Sequence, residues 1–267
     1  MAATLVKAHA YGNDFLLMDE REVAAEDDRA AFARAVCERH RGIGADGLIF
    51  YRPTARGASM QLLNADGSYS EVSGNGVRCL GAWLASAAQA RHIDIDTDAG
   101  TKSLTLLGTE GGRYTFRASM GKPEQVAKET LDVAGARIDV VTLRVGNPQC
   151  VVLGDVTIER LHGVASRLAV HPRFAEGTNV ELACVEAPGR VRILIWERGV
   201  GPTEASGTGA CAAAVAAMQY GGAARDVQVE SPGGSQRVEW TDEGLFLTGW
   251  AEVIGEVKWL SAARARA

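Results

Sequence analysis

The sequence predicts an α+β fold made of two similar halves, each a mainly antiparallel sheet built around one apolar helix. Three observations carry that reading. About fourteen short strand signals run along the chain, only about four helical stretches interrupt them, and a Ser-Gly-x-Gly turn occurs twice, each time at the mouth of an apolar helix. With 267 residues, 46% of them apolar and 23% charged, the chain can bury a large core.

Taken in order, residues 5–10 alternate weakly and 14–19 read as a short strand after the Tyr11-Gly12-Asn13 turn. Across 27–41, Ala, Phe, Val and Cys recur at helical spacing until Gly42-Ile43-Gly44 stops the helix. Strands are expected at 47–51 and 59–64, followed by the Asn64-Ala65-Asp66-Gly67-Ser68 turn. A helix over 76–90 is apolar on most sides, through Val77, Cys79, Leu80, Ala82, Trp83, Leu84 and Ala85, which marks it as buried. Strands at 93–97, 102–107 and 114–119 lead away from it. After Met120-Gly121-Lys122-Pro123 the pattern restarts with strands at 138–145 and 150–153, a helix at 158–168, and strands at 178–187 and 190–197. A second apolar helix is expected over 209–219, then strands at 227–230, 237–240, 245–247 and 251–259, the last returning to the first half. The halves are therefore drawn as 1–119 plus 252–267, and 120–251.

Composition excludes several classes of function. The formal charge of -5 carries no run of Lys or Arg, which argues against nucleic acid or a membrane surface as the partner and leaves a small molecule. No stretch approaches the roughly 20 apolar residues of a spanning helix. The first residues lack a signal or transit pattern, so a cytoplasmic protein is expected. Cys37, Cys79, Cys150, Cys184 and Cys211 are odd in number and scattered, as free thiols are, and His9, His40, His92, His162 and His171 spell out no metal site. Gly42, Gly44 and Gly47 have dinucleotide-site spacing, but they follow a helix and precede a strand, the reverse of what such a site needs.

Chemistry concentrates in the repeated turns. Ser73-Gly74-Asn75-Gly76-Val77-Arg78-Cys79 corresponds to Ser206-Gly207-Thr208-Gly209-Ala210-Cys211. A helix N-terminus offers unpaired N–H groups and partial positive charge, and glycines admit an anion to that backbone, so each turn is a carboxylate or phosphate cradle. Two related halves aim both cradles at one cleft. The serines also suit plain N-caps. Asn13, Asn64, Asn147 and Asn179 lie in neighbouring turns, where Asn is also a common structural residue. Arg198 has the planar fork that grips a carboxylate and Glu197 suits an ammonium group, so the pair reads as an α-amino-acid clamp or, equally, as an exposed ion pair at a strand end.

Over essentially the whole chain these motifs resemble the diaminopimelate epimerase family. The matching segments are Gly12-Asn13-Asp14-Phe15, Gly42-Ile43-Gly44-Ala45-Asp46-Gly47, Asn64-Ala65-Asp66-Gly67-Ser68, Gly74-Asn75-Gly76-Val77-Arg78-Cys79, Gly146-Asn147-Pro148, Gly177-Thr178-Asn179-Val180, Glu197-Arg198-Gly199 and Gly207-Thr208-Gly209-Ala210-Cys211. The resemblance implies two pseudo-symmetric domains, each a curled, mainly antiparallel sheet around a central helix, in a homodimer without pyridoxal phosphate or any other cofactor. It implies two-base epimerisation of a diaminopimelate-like amino acid. Gly74, Asn75, Gly207 and Thr208 would stabilise charge on the α-carboxylate, and Asn13, Asn64, Asn147, Asn179, Glu197 and Arg198 would hold the amino-acid groups.

The pattern breaks where the family carries its two catalytic cysteines, because Ser73 and Ser206 stand there. A thiol titrates near 8.5, whereas a hydroxyl needs an adjacent base to become a nucleophile or proton acceptor. Cys79 and Cys211 lie inside the helices and read as core. Other departures are Gln149 where His is usual, and Pro202 and Glu204 around Thr203. They favour a natural variant over an engineered trap. Such a variant is an epimerase with differently activated hydroxyls, a racemase or dehydratase of another amino acid, or a catalytically silent amino-acid-binding form.

Overall fold

The computed structural model describes residues 3–22, 28–88 and 90–260. Strands dominate it and join into one hydrogen-bonded system of 17. The first set comprises β1 (Ala3–Ala10), β2 (Asn13–Asp19), β3 (Gly47–Thr54), β4 (Gly57–Asn64), the short β5 (Tyr69–Ser70), β6 (His92–Thr97), β7 (Gly100–Glu110) and β8 (Arg113–Gly121). The second comprises β9 (Glu124–Val133), β10 (Ala136–Val145), β11 (Asn147–Leu153), β12 (Asn179–Ala187), β13 (Arg190–Glu197), the short β14 (Gly201–Thr203), β15 (Asp226–Ser231) and β16 (Gly234–Trp240). Strand β17 (Leu245–Trp259) belongs to both, pairing early with β16 and β8 and late with β1.

Following the pairings from β1 through β2, β3, β4, β6, β7, β8 and β17 returns to β1, so these strands close a barrel. Closure leaves no free edge along the ring. Along β1 to β8 the contacts run antiparallel, parallel, antiparallel, parallel, antiparallel, antiparallel. From β10 through β11, β12, β13, β15 and β16 to β17 the same order of contacts recurs.

The helices are α1 (Arg29–Cys37), α2 (Gly74–Ala88), the short α3 (Ile158–Arg160) and α4 (Ser166–Ala169), and α5 (Gly207–Tyr220). Helix α2 packs on β1, β2, β6, β7, β8 and β17, and α5 on β10–β13 and β15–β17. In α5 every residue from Gly207 to Ala217 is buried. Its run of Gly and Ala keeps the helix thin enough for strands to approach from all sides, which explains why no polar face is present.

Several expected elements differ in detail. The expected 158–168 helix is interrupted, since residues Leu161–Ala165 take a wider turn between α3 and α4, with the weak helix former Gly163 inside it. The two strands expected at 245–247 and 251–259 are one, because β17 continues while changing partners. β9 was not expected at all. Helix α1 ends at Cys37 because Glu38 adopts an extended backbone and its carboxylate caps the next N–H groups. Its expected start at residue 27, and the tail 261–267 assigned to the first half, lie outside the described residues. Among the described residues no helix is long and apolar enough to cross a membrane.

Candidate active site

Both serines sit at the mouths of buried helices and cap them. Ser73 Oγ accepts the Gly76 N–H at 3.1 Å, and Ser206 Oγ accepts the Gly209 N–H at 3.1 Å. Each cap therefore begins its helix at Gly74 or Gly207, two residues earlier than expected. The helices meet head to head, since a Cβ on Gly74 would stand 2.9 Å from the Gly207 Cα. That approach brings two sets of unpaired N–H groups and two positive dipole ends to one place, which favours negative charge there.

One cavity gathers most of the side chains expected at the site. Ser73, Ser206, Asn13, Asn64, Asn147, Asn179, Glu197, Arg198 and Thr208 all line it. Asn75 does not. It lies fully buried behind the wall, donating to Asn13 Oδ1 at 3.0 Å and to the Ala205 carbonyl at 2.9 Å, and it accepts from Arg78. Gly74 and Gly207 do not line the cavity either; they lie backbone against backbone next to the two serines. Asn179 Oδ1 accepts the Arg198 N–H at 2.9 Å, and Asn64 donates to Ser68 Oγ at 3.0 Å. Arg198 is not paired with Glu197. Its guanidinium reaches Glu71 at 3.1 Å and the Glu176 carbonyl at 3.3 Å, tying the two strand sets together across the cavity.

Glu197 lines the same cavity as Ser206. Burial raises its pKa, the Ser206 contact opposes this and Asp46 reinforces it, leaving the carboxyl at about 7. A carboxyl poised there ionises around neutrality, as a general base must.

Three residues given no role by the sequence matter here. Asp46 lines the cavity and accepts from Arg39 at 2.6 Å, Asn13 at 2.7 Å and the Asp14 N–H at 3.1 Å. Burial and the neighbouring Asp14 carboxylate push its pKa up. Glu181 is fully buried on β12 beside Gly209, and burial followed by Glu197 raises its pKa well above the carboxylate range. Glu71 is the partner of Arg198. Of the three, Glu181 left a sequence signal, an acid inside the apolar run Val180-Glu181-Leu182-Ala183. The Gln149 carboxamide connects that acid to the cavity. With its nitrogen towards Glu181 it donates at 3.0 Å, and its oxygen accepts from Thr208 at 3.2 Å and Asn179 at 3.3 Å, an orientation assigned because it satisfies both ends. Cys79 and Cys211 are fully buried in the core, and their thiols are pushed up by burial, Cys211 to about 12.

The chain as a whole resembles known proteins. A family model described as diaminopimelate epimerase matches residues 5–126 and 141–254. The diaminopimelate epimerase of Desulforudis audaxviator is 38% identical over 275 residues, spanning 96% of this chain and 99% of that protein. The diaminopimelate epimerase of Nostoc punctiforme is 36% identical, spanning 95% and 98%. Among solved structures, a probable proline racemase from Agrobacterium radiobacter superposes with a TM-score of 0.78 at 15% identity, covering 98% of this chain and 94% of that one. A hydroxyproline epimerase from Agrobacterium vitis gives 0.69 at 15% identity, covering 97% and 91%. At such identities these two structures speak for the fold alone.

Proposed function

The chain belongs to the diaminopimelate epimerase family, and on that premise we propose that it interconverts LL- and meso-2,6-diaminopimelate by moving the α-proton across the cleft between Ser73 and Ser206. This is isomerase chemistry of lysine biosynthesis. The observation that carries the proposal is the meeting of two serine-capped helix N-termini at Gly74 and Gly207. Removing an α-proton spreads negative charge onto the α-carboxylate, and preorganised N–H groups aimed at that carboxylate lower the barrier. Each serine stands beside such an N-terminus, so an alkoxide forming on it is favoured by the same field.

Asn64, Asn147, Asn179 and Arg198 hold the remaining polar groups of the substrate in this reading, and Asn13 is oriented by Asn75 behind it. Two pseudo-symmetric domains, 1–119 with 252–267 and 120–251, each around a central helix, are part of it. The recurring order of strand contacts supports that division. So does the equivalent placement of α2 and α5 against their strands. Assembly as a homodimer follows from the resemblance, and a cytoplasmic location belongs to the same proposal.

Calorimetry with LL-diaminopimelate, lysine and pimelate, followed by chiral separation of the incubated diaminopimelate, tests it. Binding of diaminopimelate alone and appearance of the meso isomer are expected. Equal binding of lysine without conversion would point instead to an amino-acid-binding protein.

A further inference from the structure

We propose that Arg78 is a positioning residue of the cleft: from behind the wall, and through Asn75, it fixes the Asn13 carboxamide with its NH2 group towards the cavity, where it donates to a substrate carboxylate. The inference rests on the function proposed above. Arg78 lies on α2 and is fully buried. Its guanidinium sits 5.9 Å from the Tyr11 ring centre and 3.3 Å from where a Cβ on Gly249 would stand, so β17 makes room for it with a glycine. Nη2 donates to Asn75 Oδ1 and, at 2.7 Å, to Gln236 Oε1 on β16. Among the described residues no carboxylate pairs with this guanidinium, and its Nε and Nη1 have no hydrogen-bond partner. Burying a cation without a counter-charge is costly, and an apolar side chain would fill the same space without that cost.

Hydrogen-bond polarity runs outward from Arg78 in one direction. A guanidinium only donates, so Asn75 turns its oxygen to it. The Asn75 nitrogen then donates to the Ala205 carbonyl at 2.9 Å, which reinforces the same orientation, and to Asn13 Oδ1 at 3.0 Å. With its oxygen held inward, Asn13 points its nitrogen at Asp46 and donates to it at 2.7 Å. Asn13 and Asp46 both line the cavity. Reversing Asn13 would set its oxygen against Asp46 and against an incoming carboxylate, acceptor to acceptor. Reversing Asn75 would set its NH2 group against the guanidinium. A cation at one end and a carboxylate at the other polarise each bond of this chain in the same sense.

Three variants separate this role from packing. Arg78→Lys keeps a donor-only cation, Arg78→Met removes the donor while filling the space, and Asn75→Asp gives Arg78 a carboxylate but draws the Asn13 NH2 group inward. Initial rates of diaminopimelate conversion give KM and kcat. Proton–nitrogen NMR of the ligand-free protein follows the Asn13 side-chain amide, assigned by its absence in Asn13→Ala. We expect Arg78→Met and Asn75→Asp to raise KM about tenfold or more, the loss of one hydrogen bond to a charged group, and Arg78→Lys to stay within about threefold of the parent. Combined with Asn13→Ala, neither should raise KM further. An Asn13 amide proton shifted downfield by Asp46 should persist in the parent and Arg78→Lys and move upfield in the other two. A KM increase that adds in full to that of Asn13→Ala overturns the inference, and so does an unchanged Asn13 signal in folded Arg78→Met or Asn75→Asp protein. If Arg78→Met does not fold, Asn75→Asp decides. Absence of conversion by the unmodified chain overturns the epimerase reading alone, and the Asn13 signal then decides this inference by itself.

Discussion

Gly74 and Gly207 approach so closely that a Cβ on Gly207 would stand 2.8 Å from the Gly74 Cα and 3.1 Å from the Leu247 side chain. Backbone facing backbone cannot yield as a flexible side chain can, so Gly207→Ala must part the two helix N-termini. We expect a loss of about 1–3 kcal/mol in stability, the usual cost of overpacking, with a larger loss of activity than Tm. Gly163→Ala, at a site with nothing within 4 Å of the added Cβ, is the control and should leave both intact. Thermal melts and turnover on the same preparations check this.

Glu197 sets a pH signature. Its folded pKa of about 7 lies above the ordinary 4.5, so its contribution to stability is fully present below about 4.5 and is lost as pH rises through 7. Glu197→Gln removes that dependence. The Tm of the variant should match or fall below the parent at pH 5 and exceed it at pH 8, although Asp46 and Glu181, both raised, leave some slope of the same sign. A parallel pair of Tm curves would mean that Glu197 is ionised in the folded protein throughout.

The Gln149 bridge should be worth more than the charge on the acid beneath it. Burial raises Glu181 well above its ordinary value, which favours its neutral form, and Glu181→Gln keeps the shape of that form. We expect that change to cost less than about 1 kcal/mol in a denaturant melt. Gln149→Leu removes the donor to Glu181 and the acceptor of Thr208 and should cost about 1–3 kcal/mol.

Thiol reactivity separates core cysteines from a catalytic substitute. Cys37, Cys79, Cys150 and Cys211 are buried and Cys184 is partly exposed, and burial pushes the Cys37 and Cys211 thiols to about 12. A thiol reagent at pH 8 should therefore label the folded protein at Cys184 alone and reach all five cysteines after denaturation. Rapid labelling of Cys79 or Cys211 would reopen the question of which residue moves the proton.

Legibility in the sequence followed local physics. Helices α2 and α5 were readable because a helix apolar on every side has no alternative to burial, and the serine-glycine turns marked their starts. Their first two residues were missed because Gly-Asn and Gly-Thr carry weak helix propensity and are helical only through the cap. Strand β9 was hidden by its mostly exposed, charged sequence around Lys128 and Glu129, and its pairing depends on the hairpin at Ala134 and Gly135, both with positive φ. At the site, the asparagines and serines were found from their turns. Glu71 was not, because its link to Arg198 spans 127 residues of sequence and leaves no local pattern. Asn75 was expected to act as part of the helix N-terminus, and its side chain is held by Arg78 and the Ala205 carbonyl.

The most direct test is the initial rate of LL- to meso-diaminopimelate conversion by the unmodified chain beside the Ser73→Cys/Ser206→Cys form, both verified as folded. Measurable conversion by the serine form, lost in Ser206→Ala and accelerated in the double cysteine form, is the predicted result. Failure of both the serine and double cysteine forms to convert diaminopimelate would contradict the assignment of this cleft to epimerisation.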